Sequence, residues 1–472
     1  MSTEEQWQAA RLIPVSGMTG TDEQERRGAS ALLAVLQVVK EFGHAITQKF
    51  GAPSGSLETF IEVPFELSGV KFRPDGLIRV TRGARSWVAL VEVKTGRERL
   101  VEGQVKAYLD IAREQGFDAV ITISNQLATI WGASPISVDK RSTKKVGLHH
   151  ISWSQIHAEA LVEQKNQSVK DPEQAWILKE FIRYLEYPKS GAVDFDDMGP
   201  SWVPVRDAAT NSTLRANDPT THDVVDHFSQ LVRYVGMSLS SQLGVEVQQV
   251  LSKKDRSDPI SFLQTMSQEL AATGRMNGAV SVPNAASPVN ILADLRAGRI
   301  ACSVTITAPG EGRPMTRVSW LLRQLKVAPN DLMICACGPR AKDLGPTVRL
   351  DRALDKPEIL LPDSKFDVKS FTLTLTAVAG TKRGQGKSSF VGSVLDLTNR
   401  FYEAVVQNLK LWVPPAPKVK VSTQDLGGLD QSASEVSNAP IKSDDAGHQI
   451  TEELDERVVS PQDPPPSIVT ID

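Results

Sequence analysis

The chain is 472 residues long, 40% hydrophobic and 23% charged, with a formal net charge of -3; this is an ordinary globular composition, and the length exceeds what one core normally holds, so two domains plus tails are expected. The start, MSTEEQWQAARLIP, lacks the basic and apolar runs of a signal peptide, and no segment has the apolar length to cross a bilayer, so a cytoplasmic protein is expected. Three cysteines, Cys302, Cys335 and Cys337, do not match paired zinc-ligand spacings and read as reduced core residues on strands.

Residues 1–21 read as an N-terminal extension. From Asp22 to Phe50, GASALLAVLQVVKEFGHAI carries apolar residues at helical spacing after an acid-rich start, which predicts one helix. TFIEVPFEL and KFRPDGLIRVTRG predict a hairpin, and SWVALVEVK the next strand. A helix over LVEGQVKAYLDIAREQG, a strand at DAVITISN, a short strand near ATIWG and another at VGLHHIS follow. Helices around 153–164 and 171–187 close a first α/β domain, 22–188. The segment PKSGAVDFDDMGPSWVP, dense in Gly, Pro and Asp, marks a linker over 189–204. Residues 205–413 read as a second α/β domain of unassigned role. It opens with a helix at THDVVDHFSQLVRYVGMSLSSQL and has strands at ACSVTITAP, DLMICACG and SFTLTLTAVAG, with the helix MTRVSWLLRQLK between the first two. From Pro414 onward 4 basic residues face 11 acidic ones. Pro, Ser and Asp dominate there and aromatics are scarce, so residues 414–472 are expected to form a disordered acidic tail.

The stretch VALVEVKTG, Val88 to Gly96, places two charges in an apolar strand. Side chains alternate faces along a strand, so Glu92 and Lys94 share one face while Val91 and Val93 share the other. Burying unpaired charge is costly, so such a pair points to an ion pair, a bound ion or a site. Asp75, in RPDGLI, lies where a strand leaves its turn and can face Glu92 from the neighbouring strand. Two carboxylates and the backbone carbonyl of Val93 make an oxygen-rich site suited to Mg2+ or Mn2+. Lys94, on the same face, can hold the attacking water and stabilise charge on a phosphate. This set suits phosphodiester hydrolysis.

Pro74 and Asp75 followed by Glu92, Val93 and Lys94 resemble the PD-(D/E)xK signature of restriction-endonuclease-like nucleases. Gln104 and Tyr108, four apart on the next helix, are similar to the QxxxY motif of the RecB-like subgroup. The match spans roughly residues 22–163. It implies an α/β fold with a restriction-endonuclease-like core, a mixed central sheet flanked by helices. It also implies a metal-dependent nuclease in which Asp75 and Glu92 ligate magnesium and Gln104 and Tyr108 support substrate or metal-bound water. Family members often add an acidic residue from the first helix. Glu41 is the residue expected in that role, with Glu62 and Glu66 as competitors and His44, one turn from Glu41, as an alternative. Between Lys71 and Arg113 ten basic residues outnumber the acidic ones, and DKRSTKK at 139–145 adds another patch. Both suit phosphate contacts, with DNA favoured over RNA. The family serves in restriction, repair and phage defence, and the competing reading is a catalytically silent nucleic-acid-binding or protein-interaction module on the same fold. A protein partner could dock on the C-terminal domain or tail.

Two other stretches invite function and lose it on inspection. AGTKRGQGKSSF, Ala379 to Phe390, follows a strand and precedes a helix as a P-loop does, but Thr381 stands where that motif needs a glycine. It reads as a flexible basic loop. The helix RPMTRVSWLLRQLK carries Arg313, Arg317, Arg323 and Lys326, and reads as a surface helix packed through Val318, Leu321, Leu322 and Leu325.

Overall fold

The structure, a computed structural model, describes residue 13 and residues 20–96, 98–128, 134–136, 138–139, 141–192 and 195–413. The acidic tail, nearly all of the N-terminal extension and the strand expected just after Ala128 lie outside the described residues. Where one helix was expected there are two, α1 (Thr21–Val38) and α2 (Lys40–Gln48), bent by 108°. Gly43 allows this corner, because a Cβ there would lie 2.1 Å from the Leu36 carbonyl oxygen.

The strands β1 (Ser56–Ile61), β2 (Phe65–Leu67), β3 (Val70–Phe72), β4 (Gly76–Arg82) and β5 (Arg85–Val93) come next. The expected hairpin is β1 paired with β4, and β2 with β3 forms a small hairpin at its tip. Pro64 and Pro74 fall in the gaps between these ladders, as residues without an N–H to donate must. Then come α3 (Glu102–Gln115), β6 (Ala119–Ser124), β7 (Gly147–Ser152), α4 (Trp153–Lys165) and α5 (Pro172–Leu185). The sheet order is β1-β4-β5-β6-β7, with the first two pairings antiparallel and the last two parallel. A parallel step needs a crossover, and α3 supplies it between β5 and β6. Leu32, Leu36, Val91, Val93, Ile121, Trp153 and Phe181 form the core on one face of this sheet. Leu90, Val105, Tyr108, Leu109 and Val120 form the core on the other, beneath α3. Leu90 faces α3, so alternation turns Glu92 the same way.

Ser152 caps α4 by accepting from the Gln155 amide, and the Gln155 side chain accepts from the Ser152 amide in return. Removing this cap with Ser152→Ala should cost about 1 kcal/mol. A lower urea midpoint with an unchanged slope would show it.

The segment expected as a linker is packed at its end. Met198 and Trp202 are fully buried, and Trp202 packs on the Phe390 ring with centroids 4.2 Å apart. The remaining elements are α6 (Trp202–Thr210), α7 (Pro219–Leu243), β8 (Gln248–Gln249), α8 (Lys253–Ser257), α9 (Pro259–Thr273), β9 (Arg275–Ser281), β10 (Val289–Asp294) and β11 (Arg299–Thr307). After them come α10 (Pro314–Gln324), β12 (Met333–Cys337), β13 (Leu344–Arg349), α11 (Leu350–Asp355), β14 (Ser370–Val378) and α12 (Phe390–Ala404). The strands make a wholly antiparallel seven-stranded sheet in the order β13-β12-β14-β11-β10-β9-β8. Alternate residues of β11 and β14 are buried, so one face carries the core and the other is polar. Cys302 is buried in that core, whereas Cys335 and Cys337 are only half-buried; all three are free.

Both sheets belong to one compact unit. They are joined where α4 packs on α7, with the Lys165 ammonium donating to the Gln242 carbonyl at 2.7 Å. Among the described residues no single helix is long and apolar enough to cross a membrane.

Candidate active site

The ladder between β4 and β5 pairs Gly76 with Val91. One step further along that register, Asp75 stands opposite Glu92, the cross-strand position at which side chains on one face meet. Asp75 Oδ2 accepts a hydrogen bond from the Val93 amide at 2.7 Å. Its carboxyl also lies within hydrogen-bonding reach of Glu92. The Lys94 ammonium sits 3.0 Å from Glu92 Oε1 and 3.0 Å from Glu25 Oε2. Just past the end of β5, the Lys94 backbone is fixed by its amide donating to the Ile123 carbonyl (2.7 Å) and its carbonyl accepting from Trp153 Nε1 (2.9 Å).

From α3, Gln104 Nε2 donates to the Tyr108 hydroxyl at 3.0 Å, and that hydroxyl hydrogen-bonds to Glu92. Sequence spacing placed Gln104 and Tyr108 on one helix face; the structure joins them into a relay that ends on a site carboxylate. Asp75, Glu92, Lys94, Gln104 and Tyr108 are thus brought together.

Glu41 is not joined to them by any hydrogen bond or ion pair among the described residues, and its buried Oε2 has no hydrogen-bond partner. The first-helix carboxylate that reaches the site is Glu25. It occupies the α1 face that carries Ala29, Leu32 and Leu36, four and seven residues before the first two of these. A carboxylate in register with an apolar stripe was the signal available in the sequence. His44 donates instead to the Gly55 carbonyl at 2.9 Å. Glu62 pairs with Arg26 (3.6 Å) and Arg73 (3.7 Å), and its amide donates to the Asp75 carbonyl. Glu66 is exposed on β2, opposite Lys71 of β3.

The electrostatics follow from burial. Glu92 is 2% exposed. Desolvation first, then the charge of Asp75, pushes its carboxyl up to about 7 against the pull of Lys94. Burial also raises Asp75, against the Val93 amide and Lys94, and raises Glu25, against its bond to Lys94. Burial works to lower Lys94, but attraction and hydrogen bonds to Glu92 and Glu25 outweigh it and hold the ammonium above the ordinary lysine value. At neutral pH Lys94 therefore donates and does not act as a base. Tyr108 is raised by burial and by Glu92, so it stays a neutral donor.

The buried Glu92 and the half-buried Asp75 repel one another beside an ammonium shared with Glu25, and their oxygens form a donor set that a small divalent cation would complete. Among the described residues no three His, Cys, Asp or Glu side chains are grouped to hold a metal alone. Asp75, Glu92 and the Val93 carbonyl are the oxygen donors that would hold Mg2+ here.

Some of the surrounding basic residues are paired with acidic neighbours. Arg79 pairs with Glu58, Lys106 with Glu102 and Arg113 with Asp110; Arg97 and Lys140 lie outside the described residues. The basic loop between β14 and α12 owes Gly380 to packing, since a Cβ would lie 2.1 Å from the Ser389 carbonyl oxygen. On α10, Arg317 is tied to the Gly310 carbonyl and to Asp367, while Val318, Leu321, Leu322 and Leu325 are buried. Comparison with family models, curated proteins and solved structures finds no match to this chain.

Proposed function

We propose that the protein is a metal-dependent nuclease, acting on DNA in preference to RNA, built on a restriction-endonuclease-like core with a RecB-like QxxxY helix. The observation that carries this reading is the meeting of Asp75, Glu92 and Lys94 at one end of a mixed sheet, with Tyr108 bonded to Glu92. The element order also supports it: a helix, the antiparallel strands β1, β4 and β5, the crossover helix α3 and the parallel strand β6.

Asp75, Glu92 and the Val93 carbonyl would hold Mg2+ or Mn2+, which when bound activates water and offsets phosphoryl charge. Lys94 donates its N–H groups toward a phosphate oxygen as negative charge builds there. Glu25 and Glu92 together fix where that ammonium stands. Gln104 and Tyr108 orient Glu92, so they act as positioning residues.

The test is to incubate the full chain with single- and double-stranded DNA and with RNA, in Mg2+, in Mn2+ and in chelator. Cleavage of DNA that requires metal is the expected result. Binding without cleavage in every metal would favour the silent module, and cleavage of RNA alone would overturn the preference for DNA.

A further inference from the structure

A cavity of about 430 Å³ lies where α4 meets α7 and β8, lined by residues of both sheet units. This is within the range of about 300–1,000 Å³ that holds small ligands. Its walls include Ile151, Val162, Met237, Val247 and Leu251. Arg233 of α7 also lines it and is 6% exposed. Arg233 Nη1 donates to the Ala128 carbonyl at 2.8 Å, while Nη2 is buried with no hydrogen-bond partner among the described residues. Burial shifts this guanidinium down to about 10, with no offsetting carboxylate among the described residues, so it remains charged at neutral pH.

The other charges along the wall do not answer it. Lys49 is held by Glu159 at 2.7 Å and Glu246 at 3.4 Å, so those two carboxylates are directed at Lys49 and leave one negative charge in excess within that triad. Arg256 turns to the Leu251 carbonyl. Three cations therefore face two carboxylates, and the excess positive charge includes a buried guanidinium. A buried cation without a counter-charge is costly and is relieved by an anion that brings both charge and acceptors.

We propose that this cavity binds a small organic anion, a carboxylate or phosphate monoester whose acidic head pairs with Arg233 and whose body lies on the apolar walls. The inference rests on residues separate from the candidate active site.

Isothermal titration calorimetry of the full chain in chelator tests it, with benzoate, phenyl phosphate and the neutral benzyl alcohol as probes. At least one anion should bind saturably with sub-millimolar affinity, and benzyl alcohol about tenfold more weakly or worse; the stronger anion names the head group. Arg233→Met should abolish that binding. Because Arg233 also bridges to Ala128, Ala158→Phe provides a second variant that fills the cavity and leaves the guanidinium in place, with a thermal melt to confirm folding. If neither anion binds the parent chain, or if Ala158→Phe binds as the parent does, the proposal is overturned. Should Arg233→Met fail to fold, Ala158→Phe decides alone.

Discussion

Lys94→Ala should lower Mg2+-dependent DNA cleavage by at least about a hundredfold, the scale of losing one donor aimed at developing transition-state charge. DNA binding should persist, because backbone contacts over an extended substrate are distributed over many cations. The ammonium lies between Glu92 and Glu25 and keeps its proton at neutral pH, so what the variant removes is a fixed positive charge and its hydrogen bonds. The fold should survive, since the Glu92 carboxyl, which already titrates near neutrality, can take up a proton once its partner is gone. Cleavage rates in Mg2+ beside filter binding in chelator separate the two effects. Undiminished cleavage in a folded Lys94→Ala chain would remove Lys94 from the chemistry and with it this cluster as the seat of cleavage.

Much of this geometry is legible in the chain because β-strand alternation is a strict rule. The PDG turn starts β4, the apolar run SWVALVEV makes β5, and a period of two then sets Asp75 and Glu92 on facing positions. Gln104 and Tyr108 follow from helical spacing in the same way. Glu25 escapes because it stands in the acid-rich first turns of α1, where carboxylates are common for reasons of helix polarity. Only its register with Ala29 and Leu32 distinguishes it. The corner between α1 and α2 hides in an unbroken apolar pattern, with Gly43 as its single mark. In the second sheet the long strands β11 and β14 stand out, whereas β9, RMNGAVS, is too polar to be seen as a strand. The edge strand β13 contains Pro346, which a central strand would not tolerate. Isolated strands also carry no sign of their partners, so the antiparallel order of that sheet could not be read.

Glu92→Gln should abolish cleavage and yet stabilise the metal-free protein at pH 8. The Glu92 carboxyl is raised from 4.5 to about 7, chiefly by burial. A folded-state value above the unfolded one means that the native chain binds more protons between those limits. Stability is then full below pH 4.5 and is lost as pH rises through 7. The shift corresponds to about 3 kcal/mol. Asp75 and Glu25, also raised, act in the same direction. Lys94, held above its ordinary value, adds no slope here because it is protonated in both states across this window. Glutamine copies the protonated carboxyl in shape and has no charge to desolvate, so the variant should melt higher than the parent at pH 8 and close to it at pH 5. Adding Mg2+ at pH 8 should raise the parent's Tm by compensating the buried charges, and should raise the variant's far less. Thermal melts of both proteins at the two pH values, with and without Mg2+, decide the matter. Parallel pH profiles for parent and variant would mean that Glu92 is not the strained charge, and an equal Mg2+ response would place the cation elsewhere. The outcome expected here is the signature of a site whose destabilising charges are kept for what they bind.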